Sequence, residues 1–329
     1  MATGNTAYAI AAAGYTGQPA YSAVATEISV TKKWENAWLR KFPLVSIIKE
    51  NKGNFNKGML RKGNTMLCPI ILGNATTTAD GVTDANELTG ITPYITANLT
   101  QAAFEIAHYR NAFYIRESEM QLINNTRGNH LEGVTQQLVD GFVNALADDM
   151  ASTNADSRSA VLGVQQVLST SNTVGGIAQG TDTDWAAQVT TAAGAFSLDL
   201  IDDKMDAVNP RGGTTDVILL AYASGVNLFG KLRAALAPAE RIVNANFKAK
   251  YGFTNIEYLG ALCISENRFT SGVICGLDTA SWFYMGDTAP KLVGIDRYPG
   301  TDAMEHMYNM WCSLGCNNPA RNWRLTGVS

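Results

Sequence analysis

The most regular apolar pattern of the chain covers residues 127–150. Its large apolar side chains recur every three or four residues, at Leu131, Val134, Leu138, Phe142, Leu146 and Met150. This spacing places them on one face of an α-helix, and a helix from Arg127 to Met150 would be about 36 Å long. Asn129 or Thr126 can cap its start. The pattern therefore predicts a long amphipathic helix whose apolar face packs against the rest of the protein.

Extended structure is predicted before this helix. Thr65–Leu72 has the composition of a strand, and Ile91–Ile115 is rich in the threonine and aromatic residues that favour extended backbone. The residues between them are small or acidic, so we predict a long β-hairpin. Arms of about 20 residues would make it about 65 Å long at roughly 3.3 Å per residue. Because an isolated hairpin is only marginally stable in water, it should lie on a neighbouring chain.

The remaining segments alternate helices and strands. Residues 33–48 have apolar positions near helical spacing, which predicts a short helix broken near Pro43. A weakly patterned stretch, residues 151–185, separates the long helix from an α/β region and a final β region. The elements predicted there are a helix near Ser197–Val208, a strand over Asp216–Ala221, a helix over Val226–Ala237, short strands over Thr254–Tyr284, and long strands over Lys291–Leu314 joined at YPGTD.

Composition indicates that other protein chains cover part of the surface. Charged residues make up 16% of the 329 residues, against about 25% in an ordinary soluble domain. No run of 18 or more apolar residues is present to span a bilayer. The N-terminal sequence MATGNTAYAIAAAGYTGQ lacks the regions of a secretory signal, so we expect the protein to stay in the cytoplasm that made it. The five cysteines are then expected to be buried thiols.

Charge is unevenly distributed along the chain. Residues 31–62 contain nine Lys or Arg and two Glu, a balance of 9 − 2 = +7, whereas the whole chain has a net charge of −4. This basic segment could neutralise DNA phosphates without reading their sequence, or it could receive the acidic hairpin tip of a neighbouring copy. The candidate contact residues are Asp80, Asp84 and Glu87 in the tip and Lys32, Lys33, Arg40, Lys41, Arg61 and Lys62 in the basic segment.

One motif suggests an alternative function, a P-loop-like nucleotide-binding enzyme. The sequence GVNLFGKL follows a predicted strand, opens a helix, and places Gly225, Gly230 and Lys231 at P-loop spacing. However, Leu232 occupies the position where a P-loop has the Ser or Thr that holds magnesium. We therefore interpret Ser224 as the cap of an ordinary amphipathic helix.

No other group of residues has the pattern of a catalytic or metal site. The three histidines, His108, His130 and His306, are isolated from one another. The cysteines lack the closely spaced pairs of a zinc ribbon. The adjacent acids Asp148–Asp149 and Asp202–Asp203 point in different directions on a helix and are interpreted as solvated surface. We predict no catalytic residue, no metal and no cofactor.

The order of the predicted elements resembles the major capsid proteins of tailed double-stranded DNA bacteriophages. The ending CNNPARNWRLTGV, from Cys316 to Val328, is also similar to the closing segment of several phage coat proteins, in which an NP-x-RN pattern leads to a small apolar finish. The resemblance implies an α+β capsid-protein fold. Its parts would be an N-terminal arm with a short basic helix (residues 1–50), an E-loop β-hairpin (51–118), a P-domain spine helix with its connection (119–185), an α/β A-domain (186–281), and the terminal β strands of the P-domain and tail (282–329).

The same resemblance implies a non-enzymatic subunit of an icosahedral or prolate virion capsid. Copies of the chain would assemble in the host cytoplasm into pentamers and hexamers that enclose double-stranded DNA. The partners implied are other copies, a portal, cement or decoration proteins, and packaged DNA held without sequence preference, with no membrane. About 30 residues before the basic helix leave no room for a built-in scaffolding segment, so a separate scaffolding protein is expected. The tip Gly73–Gly90 contains no lysine, so we expect a shell without covalent links.

Overall fold

The computed structural model describes residues 42–50, 60–72, 98–116, 129–223, 226–237, 243, 255–287, 290–297 and 302–329. Helices and sheets are both present, as the sequence predicted. The helices are α1 (Pro43–Glu50), α2 (Asn129–Ala151), α3 (Val164–Val167), α4 (Leu198–Val208) and α5 (Leu228–Ala235). Among the residues in these ranges, no helix is long and apolar enough to cross a membrane.

The strands form three main sheets and one short hairpin. In chain order they are β1 (Leu60–Lys62), β2 (Thr65–Leu72), β3 (Asn98–Glu105), β4 (Ala107–Arg116), β5 (Thr173–Val174), β6 (Ile177–Ala178), β7 (Gln188–Thr190), β8 (Val217–Ala223), β9 (Val226–Asn227), β10 (Asn255–Tyr258), β11 (Ala261–Glu266), β12 (Ile274–Leu277), β13 (Trp282–Gly286), β14 (Lys291–Arg297), β15 (Ala303–Cys316) and β16 (Trp323–Leu325). The sheet orders are β1-β2-β3, then β10-β11-β8-β12-β16-β7 with β9 beside β8, and β13-β15-β14 with β4 on the other side of β15.

The long helix predicted from the apolar spacing is confirmed as α2, which begins two residues later and ends one residue later than predicted. Its second half buries an apolar face made of Leu138, Val139, Phe142, Val143, Leu146, Ala147, Met150 and Ala151. This face joins the main hydrophobic core together with α1 and strands of all three main sheets. The helix therefore ties the sheets into one body.

The short N-terminal helix begins where the sequence predicted a break. Pro43 is the first residue of α1, a position that suits proline because its fixed φ is helical and the first helical N–H has no partner to lose. Predicted residues 33–41 lie outside the described part of the chain. Phe42, Leu44, Val45, Ile47 and Ile48 are all buried, so α1 is part of the core.

The hairpin prediction is confirmed in its pairing and corrected in its extent. β2 has the predicted bounds and pairs antiparallel with β3, from Thr65 with Glu105 to Leu72 with Asn98. The described arms are eight residues each, about 26 Å, and residues 73–97 lie outside the described part. The predicted second arm is not one strand, because β4 leaves the hairpin and pairs with β15 over ten residues.

The α/β region is built on β8, whose residues 217–221 are buried on both faces. β8 pairs parallel with β11 and antiparallel with β12. The predicted helices are confirmed as α4 and α5. Strands β13 and β15 then leave this sheet for the β4-containing sheet, and β16 returns to pair with β12 and β7.

Residues 151–185, which have little periodic pattern in the sequence, contribute strongly to the core. Val161, Leu162, Val164, Val167 and Leu168 are all fully buried. The Gln165 carbonyl accepts a hydrogen bond from Arg324 Nη1 at 2.7 Å, which connects this segment to β16. Short irregular segments can therefore fill a core without a helical or strand period.

Candidate assembly site

The root of the hairpin, where β3 passes into β4, is held by several segments. The Ile106 N–H donates to the Asn64 carbonyl at 3.0 Å. The Glu105 N–H donates to Asp156 Oδ2 at 2.7 Å, and Ser313 Oγ donates to the Glu105 carbonyl at 2.9 Å. Ile106 itself is 3% exposed. These contacts set the direction in which the hairpin leaves the protein.

An aromatic contact packs the same root against the β13–β15 pair. The rings of Phe104 and Phe283 meet edge to face, with centroids 5.4 Å apart and an angle of 80° between the planes. Gly315 lies directly beneath them, since a Cβ at this position would stand 2.2 Å from Phe283 Cζ. Glycine at this position is what allows the hairpin to lie on the sheet.

One face of the β4–β15 sheet is covered by α2. The Tyr109 hydroxyl of β4 donates to Asp149 Oδ2 of the helix at 2.5 Å, and the Tyr109 hydroxyl oxygen accepts the Val161 N–H at 3.2 Å. Burial raises the pKa of Tyr109 above its ordinary value. The hydroxyl therefore stays protonated and links the sheet, the helix and the segment after the helix.

The opposite face of this sheet carries exposed aromatic residues. Tyr114 is 57% exposed and Trp311 is 40% exposed. The imidazole of His108 stacks on the Trp311 indole with centroids 3.8 Å apart. An open cleft of about 420 Å³ adjoins this indole, lined by Ile106, Met285, Gly286, Asp287 and Trp311. A surface of this kind can receive side chains of another chain, because aromatic residues dominate the energetics of protein interfaces.

A polar junction anchors helix α1. Glu266 of β11 accepts the Leu44 N–H with Oε2 at 3.3 Å and the Arg268 N–H with Oε1 at 3.2 Å. A carboxylate at a helix N-terminus satisfies a free N–H and interacts favourably with the helix dipole. The Arg268 guanidinium lies 4.7 Å from the centroid of the Phe42 ring and forms an ion pair with Asp148 of α2. The N-terminal helix is thus joined to both the seven-stranded sheet and the long helix.

A second polar junction is built on Asn322, within the NP-x-RN sequence. Its side chain is fully buried. Oδ1 accepts the Trp282 indole N–H at 2.8 Å and the Asp278 N–H at 2.9 Å, while Nδ2 donates to Ser281 Oγ at 2.9 Å and to the Asn318 carbonyl at 3.1 Å. All four hydrogen-bonding positions of the amide are used. Asn322 holds the chain where it passes from one sheet to the other.

Most of the predicted contact residues lie outside the described part of the chain. These are Asp80, Asp84, Glu87, Lys32, Lys33, Arg40 and Lys41. Arg61 pairs through its backbone with Met66, and Lys62 pairs with Thr65 and has an exposed side chain. The structure places these two cations at the turn that joins β1 to β2, and the choice between DNA and a neighbouring hairpin tip stays a prediction.

The P-loop interpretation does not fit the geometry of α5. The helix begins at Leu228, so Gly230 already lies inside it, and its N–H donates to Asn227 Oδ1 at 2.8 Å. A P-loop glycine must instead offer its N–H to phosphate. Lys231 is exposed on the helix. Asn227 is the helix cap, which corrects the expectation that Ser224 would be; Ser224 and Gly225 lie outside the described residues.

His306 and the five cysteines, the remaining candidates for chemistry, lie in the packed interior. His306 is 7% exposed and stacks on Phe113 with centroids 4.8 Å apart, and burial lowers its pKa to about 4. The side chain of His130 lies outside the described part of the chain. All five cysteines are buried free thiols, as predicted. Within the described ranges, no group of three or more His, Cys, Asp or Glu could hold a metal ion.

The expectation that the paired acids are solvated surface was wrong for Asp149 and Asp202, which are partly buried and hydrogen-bonded, whereas Asp148 is exposed and forms a surface ion pair. Asp148 pairs with Arg268, Asp149 accepts from Tyr109, and Asp202 accepts the Tyr258 hydroxyl at 2.7 Å. These partners are between 40 and 120 residues away in sequence. Sequence spacing carries no signal for such contacts, whereas Asp203 is exposed as expected.

Comparison with known proteins identifies the fold. No protein-family model matches the chain, and no curated protein matches its sequence. The structure resembles that of the cyanophage A-1(L) capsid asymmetric unit with a TM-score of 0.64 and 11% identity, covering 88% of this chain and 93% of that chain. The capsid of a native GTA particle matches with a TM-score of 0.57 and 10% identity, covering 82% of this chain and 86% of that one. The structure from Mycobacterium phage Adephagia matches with a TM-score of 0.52 and 12% identity, covering 85% and 89%. The chain therefore has the fold of these phage and GTA capsid proteins.

Proposed function

We propose that this chain is the structural subunit of a tailed-phage-type virion capsid, which assembles with other copies of itself into a shell around double-stranded DNA and has no enzymatic activity. The observation that carries the proposal is the capsid-protein fold, which extends over most of the chain. The subunit would have the parts already outlined: an N-terminal arm (1–50), an E-loop (51–118), a spine helix with its connection (119–185), an A-domain (186–281) and terminal strands (282–329).

Physical features of the described residues support this assignment. A root tied down by Glu105, Ile106 and Phe104 gives the proposed E-loop a defined direction, as a contact that must reach another subunit requires. The exposed Tyr114 and Trp311 provide apolar area on an otherwise open sheet face. The low charge of the chain is consistent with a surface that is largely covered by copies of itself.

The partners of the shell are part of the same proposal. Besides other copies, they are a separate scaffolding protein, a portal, cement or decoration proteins, and packaged DNA. The basic segment would either receive the acidic residues Asp80, Asp84 and Glu87 of a neighbouring copy or bind the phosphates of the packaged DNA. Assembly would take place in the host cytoplasm.

The first test is assembly of the isolated chain and of the chain co-expressed with its candidate scaffold. Size-exclusion chromatography and negative-stain electron microscopy should show closed shells, tubes or ring-shaped capsomers. Deletion of residues 74–90 should leave a folded subunit that cannot close shells. The control keeps the length of the tip and replaces Asp80, Asp84 and Glu87 by the corresponding amides, which tests the charges alone. A wild-type chain that stays monomeric under all conditions would overturn the proposal, and normal shells from the deletion would exclude the role of the hairpin.

A further inference from the structure

The residue that precedes helix α1 is held by an arginine side chain. The Arg268 guanidinium, in the turn after β11, lies over the Phe42 ring at 4.7 Å from the ring centroid, which is within range of a cation–π interaction. Its Nη2 donates to Asn144 Oδ1 at 3.1 Å, and its Nη1 forms an ion pair with Asp148. Arg268 therefore ties Phe42 to two positions on α2 that are about one helical turn apart.

The sequence leaves the backbone little freedom at this point. Pro43 has a fixed φ, and the residue before a proline is restricted to extended conformations. Phe42 is also buried, so its ring cannot turn freely into solvent. Because the ring is held by Arg268 and the following residue is fixed by its own ring, the direction in which the chain enters α1 is set at Phe42.

The contacts of Arg268 are separate from those that dock α1. The helix is anchored by its own buried apolar side chains and by Glu266, which accepts the Leu44 N–H at 3.3 Å. The side chain of Asp148 is 59% exposed, and an ion pair with an exposed partner adds little to stability. Arg268 therefore contributes more to the direction of the chain than to the stability of the fold.

We propose that Arg268 is a positioning residue for assembly, which fixes the direction of the preceding basic segment by holding the Phe42 ring. That segment ends in Arg40 and Lys41, which are among the proposed contact residues. A segment whose direction is set before it meets a partner loses less conformational freedom on binding. Arg268 thus favours assembly without touching the partner. This role rests on the proposed capsid function.

Proteolysis of the unassembled subunit tests the contact between Arg268 and Phe42. Trypsin cleaves after Arg40 and Lys41, directly before Phe42, and cleavage of a folded protein follows the population of its locally open state. Arg268→Met keeps an apolar side chain and removes the charge and the planar fork. Cleavage at these two sites should become about two to five times faster, which corresponds to the loss of a partly exposed cation–π contact. Arg158→Met removes an exposed arginine elsewhere and should be cleaved there at the wild-type rate.

A double-mutant cycle separates this contact from a general loss of packing. Phe42→Leu keeps an apolar side chain and removes the ring face. If Arg268 acts through the ring, the double variant Arg268→Met, Phe42→Leu should be cleaved no faster than the faster single variant, whereas independent effects would multiply. Arg268→Lys should recover only part of the protection, because lysine keeps the charge but lacks the planar fork.

Assembly of the same variants tests the positioning role. At equal protein concentration, Arg268→Met and Phe42→Leu should lower the yield of rings and shells at least about twofold, while their Tm stays within about 2 °C of the wild type. Arg158→Met should assemble normally.

Different outcomes would overturn different parts of the proposal. Cleavage of Arg268→Met at the wild-type rate, or multiplying effects in the double variant, would exclude the contact. Faster cleavage together with normal assembly would exclude the positioning role. If the wild-type chain forms no oligomer at all, the proposed function fails and the positioning role fails with it, whereas the cleavage rates still decide whether Arg268 holds Phe42.

Discussion

Replacement of Asn322 by alanine should destabilise the subunit more than its small change in volume suggests. The amide oxygen accepts two buried N–H groups, those of the Trp282 indole and the Asp278 backbone. The amide nitrogen donates to Ser281 Oγ and to the Asn318 carbonyl. Alanine removes all four of these hydrogen bonds at once. Asn322 is fully buried where the chain crosses between two sheets, so water has little access to replace the lost hydrogen bonds.

The expected loss follows from the number of donors left without an acceptor. A buried N–H without a partner costs about 1–3 kcal/mol, so the two donors give a total of about 2–6 kcal/mol. An unfolding entropy of about 2.1 cal/mol/K per residue over 329 residues gives about 0.7 kcal/mol per degree. A loss of 4 kcal/mol should then lower the Tm by about 6 °C.

The assay is thermal unfolding of the unassembled subunit, followed by circular dichroism and by tryptophan fluorescence, to which Trp282 contributes as one of six tryptophans. Asn317→Ala is the matched control, because Asn317 is exposed and contributes only its backbone N–H to the same region. That variant should melt within about 1 °C of the wild type. If Asn322→Ala also melts there, the hydrogen-bond network does not carry the stability assigned to it.

Two further predictions concern buried polar groups next to α2 and β15. Burial lowers the pKa of His306 to about 4, below its ordinary value of 6.5, so the folded state favours the neutral ring. The free energy of unfolding should therefore have its full value above pH 6.5 and fall by about 3 kcal/mol as the pH drops to 4. Urea unfolding at pH 7 and pH 4.5 should show this loss in the wild type and a smaller one in His306→Phe; equal losses would contradict it. Tyr109→Phe should cost about 1–3 kcal/mol in urea unfolding, since Asp149 and a buried N–H lose their partner. Tyr114→Phe, on the exposed face, should stay within about 0.5 kcal/mol, and equal effects of the two changes would refute the assignment.

Local periodicity was enough to predict several elements. Helix α2 follows from apolar residues at helical spacing, β2 from a short apolar run, and β15 from a long strand pattern near the end of the chain. These segments have one dominant face or composition, so their local signal agrees with their final environment. The prediction that the cysteines are buried thiols is likewise confirmed. The order of such elements was sufficient for the resemblance to capsid proteins.

Contacts between distant segments decided the rest. The stretch around Ile106 reads as one extended run, but the backbone changes sheets there because Asn64, Asp156 and Ser313 bond to it from three other segments. Residues 161–168 look like a loop and become core because they fill the space beside α2 and β16. Asn322 and Glu266 have roles only when their partners are in place. Sequence by itself determines which segments can be helices and strands, because that depends on neighbours in the chain. Which side chains meet, and hence where subunits can join, depends on packing across the whole fold.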